Sequence, residues 1–226
     1  LGALTINSGG TLTTSRVIIV NGATNITGTI NLSGATAYQF NGNVTLNSGA
    51  VWNDASTNSM SITGSFTNNA TTFTASTETY TFSGANKELS GSTEIVIPSA
   101  TFTGNYTNNG TLSCATALTV TGGAIMLTNN GTITATTSIA GTGGVTQGTT
   151  GILNINGTSG ITTLTATAVG NIVNYTGAAQ TCKVTTYDNL TLSGSGAKTF
   201  ATAPTVNNLL SLEGTATITV TTGVVS

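Results

Sequence analysis

Along this chain an apolar residue returns about every twenty positions behind a turn built of Asn, Gly, Ser and Thr. The turns read Asn7-Ser8-Gly9-Gly10-Thr11, Thr27-Gly28-Thr29, Asn47-Ser48-Gly49-Ala50, Asn68-Asn69-Ala70-Thr71, Asn108-Asn109-Gly110-Thr111 and Asn129-Asn130-Gly131-Thr132. Behind them stand Leu12, Ile30, Val51, Phe73, Leu112 and Ile133, with Ile95 after Gly91 and Ile152 continuing the series. Between the turns lie short alternating stretches such as Leu4-Thr5-Ile6, Val44-Thr45-Leu46, Tyr80-Thr81-Phe82 and Leu190-Thr191-Leu192, the period-2 pattern of a half-buried strand. Turn signals recur about every ten residues, so each unit holds two or three strands joined by corners. A unit this short cannot bury its apolar face alone and must stack on copies of itself.

The pattern predicts an all-β chain: a single β-solenoid, or parallel β-helix, over residues 1–226 with coils of about twenty residues and those eight apolar side chains stacked inside. Tandem β-sandwiches are the alternative, but a sandwich has no reason to repeat one turn in one phase at every second strand. Roughly eleven coils at ~4.8 Å each make a rod about 50 Å long.

Two places depart from the rhythm. If Val51 faces inward, the neighbouring Trp52 faces solvent, which makes it the candidate contact for a partner or a glycan. Residues 140–151 are rich in Gly and Thr and read as a loop or loosened coil. Pro98 and Pro204 are expected to end strands.

Charge changes the picture of possible partners. Four Lys and Arg stand against six Asp and Glu, no His is present, and charged residues are 4% of the chain. Four scattered cations cannot neutralise a run of phosphates, so nucleic acid is a poor partner. Near-zero charge favours self-association. No run approaches the ~18 apolar residues of a membrane span. Leu1 rather than Met opens the chain, with no secretory leader pattern, which reads as a processed protein or an excised segment. Cys114 and Cys182, each in phase with apolar neighbours, are expected to face inward as free thiols, since a disulfide would need adjacent rungs.

From Asn174 the chain reads Asn-Tyr-Thr-Gly-Ala-Ala-Gln-Thr, then Thr186-Tyr187-Asp188-Asn189-Leu190-Thr191-Leu192-Ser193-Gly194-Ser195-Gly196-Ala197-Lys198-Thr199. This resembles the repeat unit of very large secreted bacterial β-strand repeat proteins, the adhesin-like surface proteins, with a weaker echo from Tyr80 to Leu112. The resemblance implies secretion, repetitive β architecture and a role at the cell surface or in extracellular matrix. It implies no catalytic residues.

Catalytic chemistry is sparse. Without His the usual general base and metal ligand are missing. Glu88 and Glu94 are the only near-neighbouring carboxylates and read as surface charges beside Lys87, and no calcium-roll or phosphate-loop motif occurs. No enzyme activity, cofactor or metal is expected. Thr-x-Thr runs such as Thr11-Leu12-Thr13, Thr72-Phe73-Thr74 and Thr132-Ile133-Thr134 suggest an ice-binding array, which Ala50-Val51-Trp52, Glu94-Ile95-Val96 and Gly151-Ile152-Leu153 interrupt. The chain opens at once into Leu4-Thr5-Ile6 and closes with Ala216-Thr217-Ile218-Thr219-Val220-Thr221, so Leu4, Ile6, Ile218 and Val220 are expected on uncapped end faces. The expectation is an extracellular structural subunit that joins head to tail with copies of itself or with neighbouring repeats. An adhesin or carbohydrate-binding segment is the alternative.

Overall fold

Alternating apolar and Thr-rich positions with turns too frequent for helices leave the backbone one economical solution, short strands paired in parallel with the coil before and the coil after. A computed structural model describes residues 1–34 and 37–222 and has that architecture. It is an all-β solenoid of about 11 coils, each of roughly 20 residues, with no helix among the described residues. Three ladders run along the stack. The first face carries Leu4–Ile6, Thr24–Ile26, Val44–Leu46 and Phe66–Asn68 in register. The second carries Thr11–Thr14, Thr29–Leu32, Val51–Asp54 and Thr72–Thr74. The third carries Ile19–Val20, Tyr38–Phe40, Met60–Ile62 and Thr79–Phe82. Further along, two faces share long strands that bend at the corner, as in Ile95–Phe102 and Thr111–Val120.

Inward side chains form files that run the length of the rod. On the third face Val20, Phe40, Ile62, Phe82, Phe102 and Val120 follow one another on successive coils, all fully buried. Phe82 and Phe102 stack with ring centroids 5.0 Å apart. On the second face the file is Leu12, Ile30, Trp52 and Phe73, then Ile95, Leu112, Ile133, Leu153, Val173, Leu190 and Leu210.

Six of the eight expected core residues therefore stand in that file, and two do not. Trp52 replaces Val51 and Leu153 replaces Ile152, because the turns before them close one residue later than their apolar neighbours suggest. Ala50 donates its N–H to the Asn47 carbonyl at 3.0 Å and is itself buried, which pushes Val51 outward. Gly151 does the same to the Gly148 carbonyl at 3.0 Å ahead of Ile152. Coil length accordingly varies: Asn31 reaches back 18 residues to Thr13, while Asn53 reaches back 22 to Asn31.

Most of residues 140–151 is strand, not loop. Ser138–Gln147 pairs with Thr158–Thr165, and its glycines mark a register shift between Gly141 and Gly144. Gly141 takes φ +122, and a Cβ there would lie 2.0 Å from the Val120 carbonyl oxygen of the previous coil, so only glycine turns this corner. Pro98 lies inside Ile95–Phe102 at a register shift rather than ending the strand. Pro204 falls in the gap between Ser195–Thr202 and Thr205–Leu212, as expected.

Candidate functional site

The outward positions of the strands are dominated by Thr, Ser and Asn, so chemistry must be sought at the few places where this uniformity fails. Those are the aromatic cluster, the buried charges, the interruptions of the ladders and the two end faces.

Trp52 is fully buried, which corrects its expected exposure and removes it as a glycan contact. Its ring lies 5.6 Å from Phe40, 6.3 Å from Phe66 and 6.3 Å from Phe73, centroid to centroid. Its indole N–H has no hydrogen-bond partner. All five tyrosines are buried as well, and most use the hydroxyl to hold a corner. Tyr38 accepts from the Gly34 N–H at 2.7 Å, Tyr80 from Ser76 at 3.2 Å, Tyr106 from Gly84 at 3.3 Å and Tyr175 from Lys183 at 2.9 Å. No Tyr or Trp ring is left on the surface to stack on a sugar.

Three of the charged residues lie inside the rod, where sequence placed charges on the surface. Asp54 accepts from the Tyr80 hydroxyl at 3.0 Å and from the Ser56 N–H at 3.1 Å. Asp188 accepts from the Gly170 N–H at 2.7 Å and the Asn189 amide at 2.8 Å. Lys198 donates to the carbonyls of Gly177 at 2.5 Å and Ala178 at 2.6 Å and to Gln180 Oε1 at 2.8 Å. Burial lowers the Lys198 ammonium below the usual lysine range. Burial also pushes the Cys114 and Cys182 thiols up to about 12, so both remain protonated. Both are free and buried, as sequence suggested, whereas Val184 is exposed. Glu88 lies exposed on the first face, and Glu94, exposed just before the second, contacts the Ser113 hydroxyl. Among the described residues no group of His, Cys, Asp and Glu could hold a metal.

The ladders are interrupted twice. On the second face Thr72–Thr74 pairs back to Val51–Asp54, while Ile95 pairs only onward. A groove of about 330 Å³ lined by Phe73, Ala75, Val96, Ile97 and Pro98 follows this seam. On the third face the ladder stops at Thr158–Thr165 and a new sheet begins at Gln180–Thr181. A groove of about 470 Å³ lined by Gly157, Ser159, Gly160, Ala179 and Gln180 follows that one.

At the two ends the apolar files surface. Leu4 and Leu12 on the first coil, and Val206, Leu210 and Ile218 on the last, are core residues only partly buried. Ile6 is covered to 6% exposure, and Val220 is half-buried. Leu1, Val17 and Ile19 at one end and Leu209 and Leu212 at the other are exposed. Leu1, Leu12, Val17, Ile18 and Ile19 line a groove of about 460 Å³, and Leu4, Ile6 and Leu12 line another of about 400 Å³. No helix of the described residues is long and apolar enough to cross a membrane.

No protein-family model matches this chain, and neither a curated protein nor a solved structure matches it.

Proposed function

We propose that this chain is an extracellular structural protein, a β-solenoid building block of a cell-surface or matrix filament whose coil stack continues end to end. The observation that carries the reading is the contrast between the middle and the ends of one core. Inward residues are buried along the rod and surface at its first and last described coils. There the outermost strands have unpaired backbone on one side, a template that a further coil completes in parallel. That coil comes from the next copy in a homopolymer or from an adjoining repeat of the same polypeptide. Low charge offers little resistance to such contact. Among the described residues Trp52 and the five tyrosines lie inside the rod, which favours a structural role over stacking on carbohydrate.

The test is electron microscopy of the purified chain across a concentration series, beside Leu12→Glu and Leu210→Glu variants. Rods longer than one stack that revert to single rods in either variant support the proposal. Single rods at every concentration would reject self-assembly.

A further inference from the structure

The two end faces carry opposite charge, which a structural role by itself does not require. Before Asp54 the only charged side chain is Arg16, and after Lys198 the only one is Glu213. Both are exposed, and both sit where the second face turns into the third: Arg16 follows Thr11–Thr14 on the first coil and Glu213 follows Thr205–Leu212 on the last. The Arg16 N–H donates to the Thr14 hydroxyl at 2.9 Å, and the Ser211 hydroxyl donates to the Glu213 carboxylate at 3.0 Å. Beside Glu213, Leu212 pairs in register with the fully buried Leu192 yet stands 48% exposed on the last described coil.

The register of the rod fixes what meets these groups when a coil is added. Leu210 continues the second-face file that begins at Leu12. Leu212 lies two residues beyond it, in the file that holds Thr14 and Leu32 near one end and Tyr175 and Leu192 near the other. At this corner the residue after that file donates its N–H to the preceding coil: Ser33 to the Thr14 carbonyl at 3.0 Å, Ala55 to Leu32 at 2.8 Å and Glu213 to Leu192 at 2.9 Å. Laid on the last coil of another copy, the first coil therefore sets Leu12 on Leu210 and Thr14 on Leu212, and its Ser15 N–H meets the Leu212 carbonyl. Arg16 then stands beside Glu213 across a coil spacing of ~4.8 Å. Leu212 enters the groove of about 460 Å³ that Leu12, Thr14 and Ile18 line.

On the basis of the end-to-end stacking proposed above, we infer that the partner of each end face is a second copy of this chain, docked head to tail in a polarity that Arg16 and Glu213 select. Head-to-head or tail-to-tail docking brings faces of the same sign together, which disfavours both. The head-to-tail contact is heterologous and does not close on itself, so it propagates.

Charge swaps in the full chain, followed by sedimentation velocity and electron microscopy, are the test. Arg16→Glu and Glu213→Arg should each raise the concentration needed for rods longer than one stack by about fivefold or more. The defect should shrink at high salt. An equimolar mixture of the two variants should assemble like the wild type, because native and swapped pairs then alternate along the filament. Restoration by mixing also requires that each variant be folded. If the wild type assembles and both variants do so at the same concentration, or if the mixture is no better than either variant alone, the polar pairing is overturned and end-to-end stacking stands. Single rods of the wild type at every concentration would overturn both.

Discussion

The coils around Trp52 and the coils around Asn129 bury their interiors by opposite means. In the first region aromatic rings interlock across three faces, with Trp52 among Phe40, Phe66 and Phe73. Its indole N–H is left without a partner, so the cluster gains by shape and apolar area and bears one unmet polar group. In the second region a ladder of amides runs inside the corner between the first and second faces. Asn108 donates to Asn129 Oδ1 at 2.8 Å, and Asn129 donates to Gln147 Oε1 at 3.0 Å and to the Ile152 carbonyl at 2.9 Å. The ladder has polarity, so it leaves Asn108 Oδ1 without a partner at one end and Gln147 Nε2 at the other. The contrast shows how one backbone repeat accepts two kinds of core. Packing tolerates variable coil length, whereas an amide ladder requires each coil to present the same group at the same height.

The largest expected effect belongs to the aromatic region. Trp52→Ala should destabilise the chain by ~3–5 kcal/mol by opening a cavity among three rings. Trp52→Phe should cost far less, because it also removes the unpartnered N–H. Denaturant unfolding measures both, and equal losses would mean that ring volume is not what holds these coils. Next comes the ladder: Asn129→Ala should cost ~1–3 kcal/mol by stranding its neighbours' amide groups. Hydrogen exchange should localise that loss to the coils of Asn108 and Gln147. A loss spread evenly over the rod would show that the ladder is not a local clamp.

The smallest effect is alkaline. Burial holds Cys114, Cys182 and Tyr106 up to about 12, against 9.0 for a free thiol and 10.0 for a free phenol. The folded state therefore binds more protons than the unfolded chain between about 9 and 12. Stability from these groups is intact below that window and falls as pH rises through it. The melting temperature should drop progressively above pH ~9, with neither thiol labelled by alkylating reagents until unfolding. Rapid labelling of the folded chain would contradict this.

Much of the fold is legible because a two-residue alternation and a recurring turn act locally. Leu12, Ile30 and Leu112 could be placed inside from their turns alone. Trp52 was misplaced by counting from the apolar residue nearest the turn. Counting five positions takes Asn7 to Leu12, Asn47 to Trp52 and Asn68 to Phe73, whereas Asn108 and Asn129 reach the buried Leu112 and Ile133 in four, so no single count from the turn places every core residue. The buried pair of Lys198 and Gln180 carries no comparable signal. Their meeting depends on the register between coils, which local sequence does not encode, and a Lys in a strand otherwise reads as an outward residue. Alternation alone puts Leu4, Ile6, Ile218 and Val220 on the inward side of the first and last described coils. The interruptions at Thr72–Thr74 and Thr158–Thr165 could not be read, since both segments look like ordinary strands.

The central claim is that the partly covered core at the two ends is completed by another coil. Hydrogen exchange of the full chain, compared between dilute and concentrated solutions, tests it most directly. The account predicts that amides of Leu4–Ile6, Thr11–Thr14 and Thr205–Leu212 exchange rapidly when dilute and become protected on concentration, while the outward faces between them are unchanged. Protection that appears on those flat faces instead, or ends that exchange alike at every concentration, would contradict it.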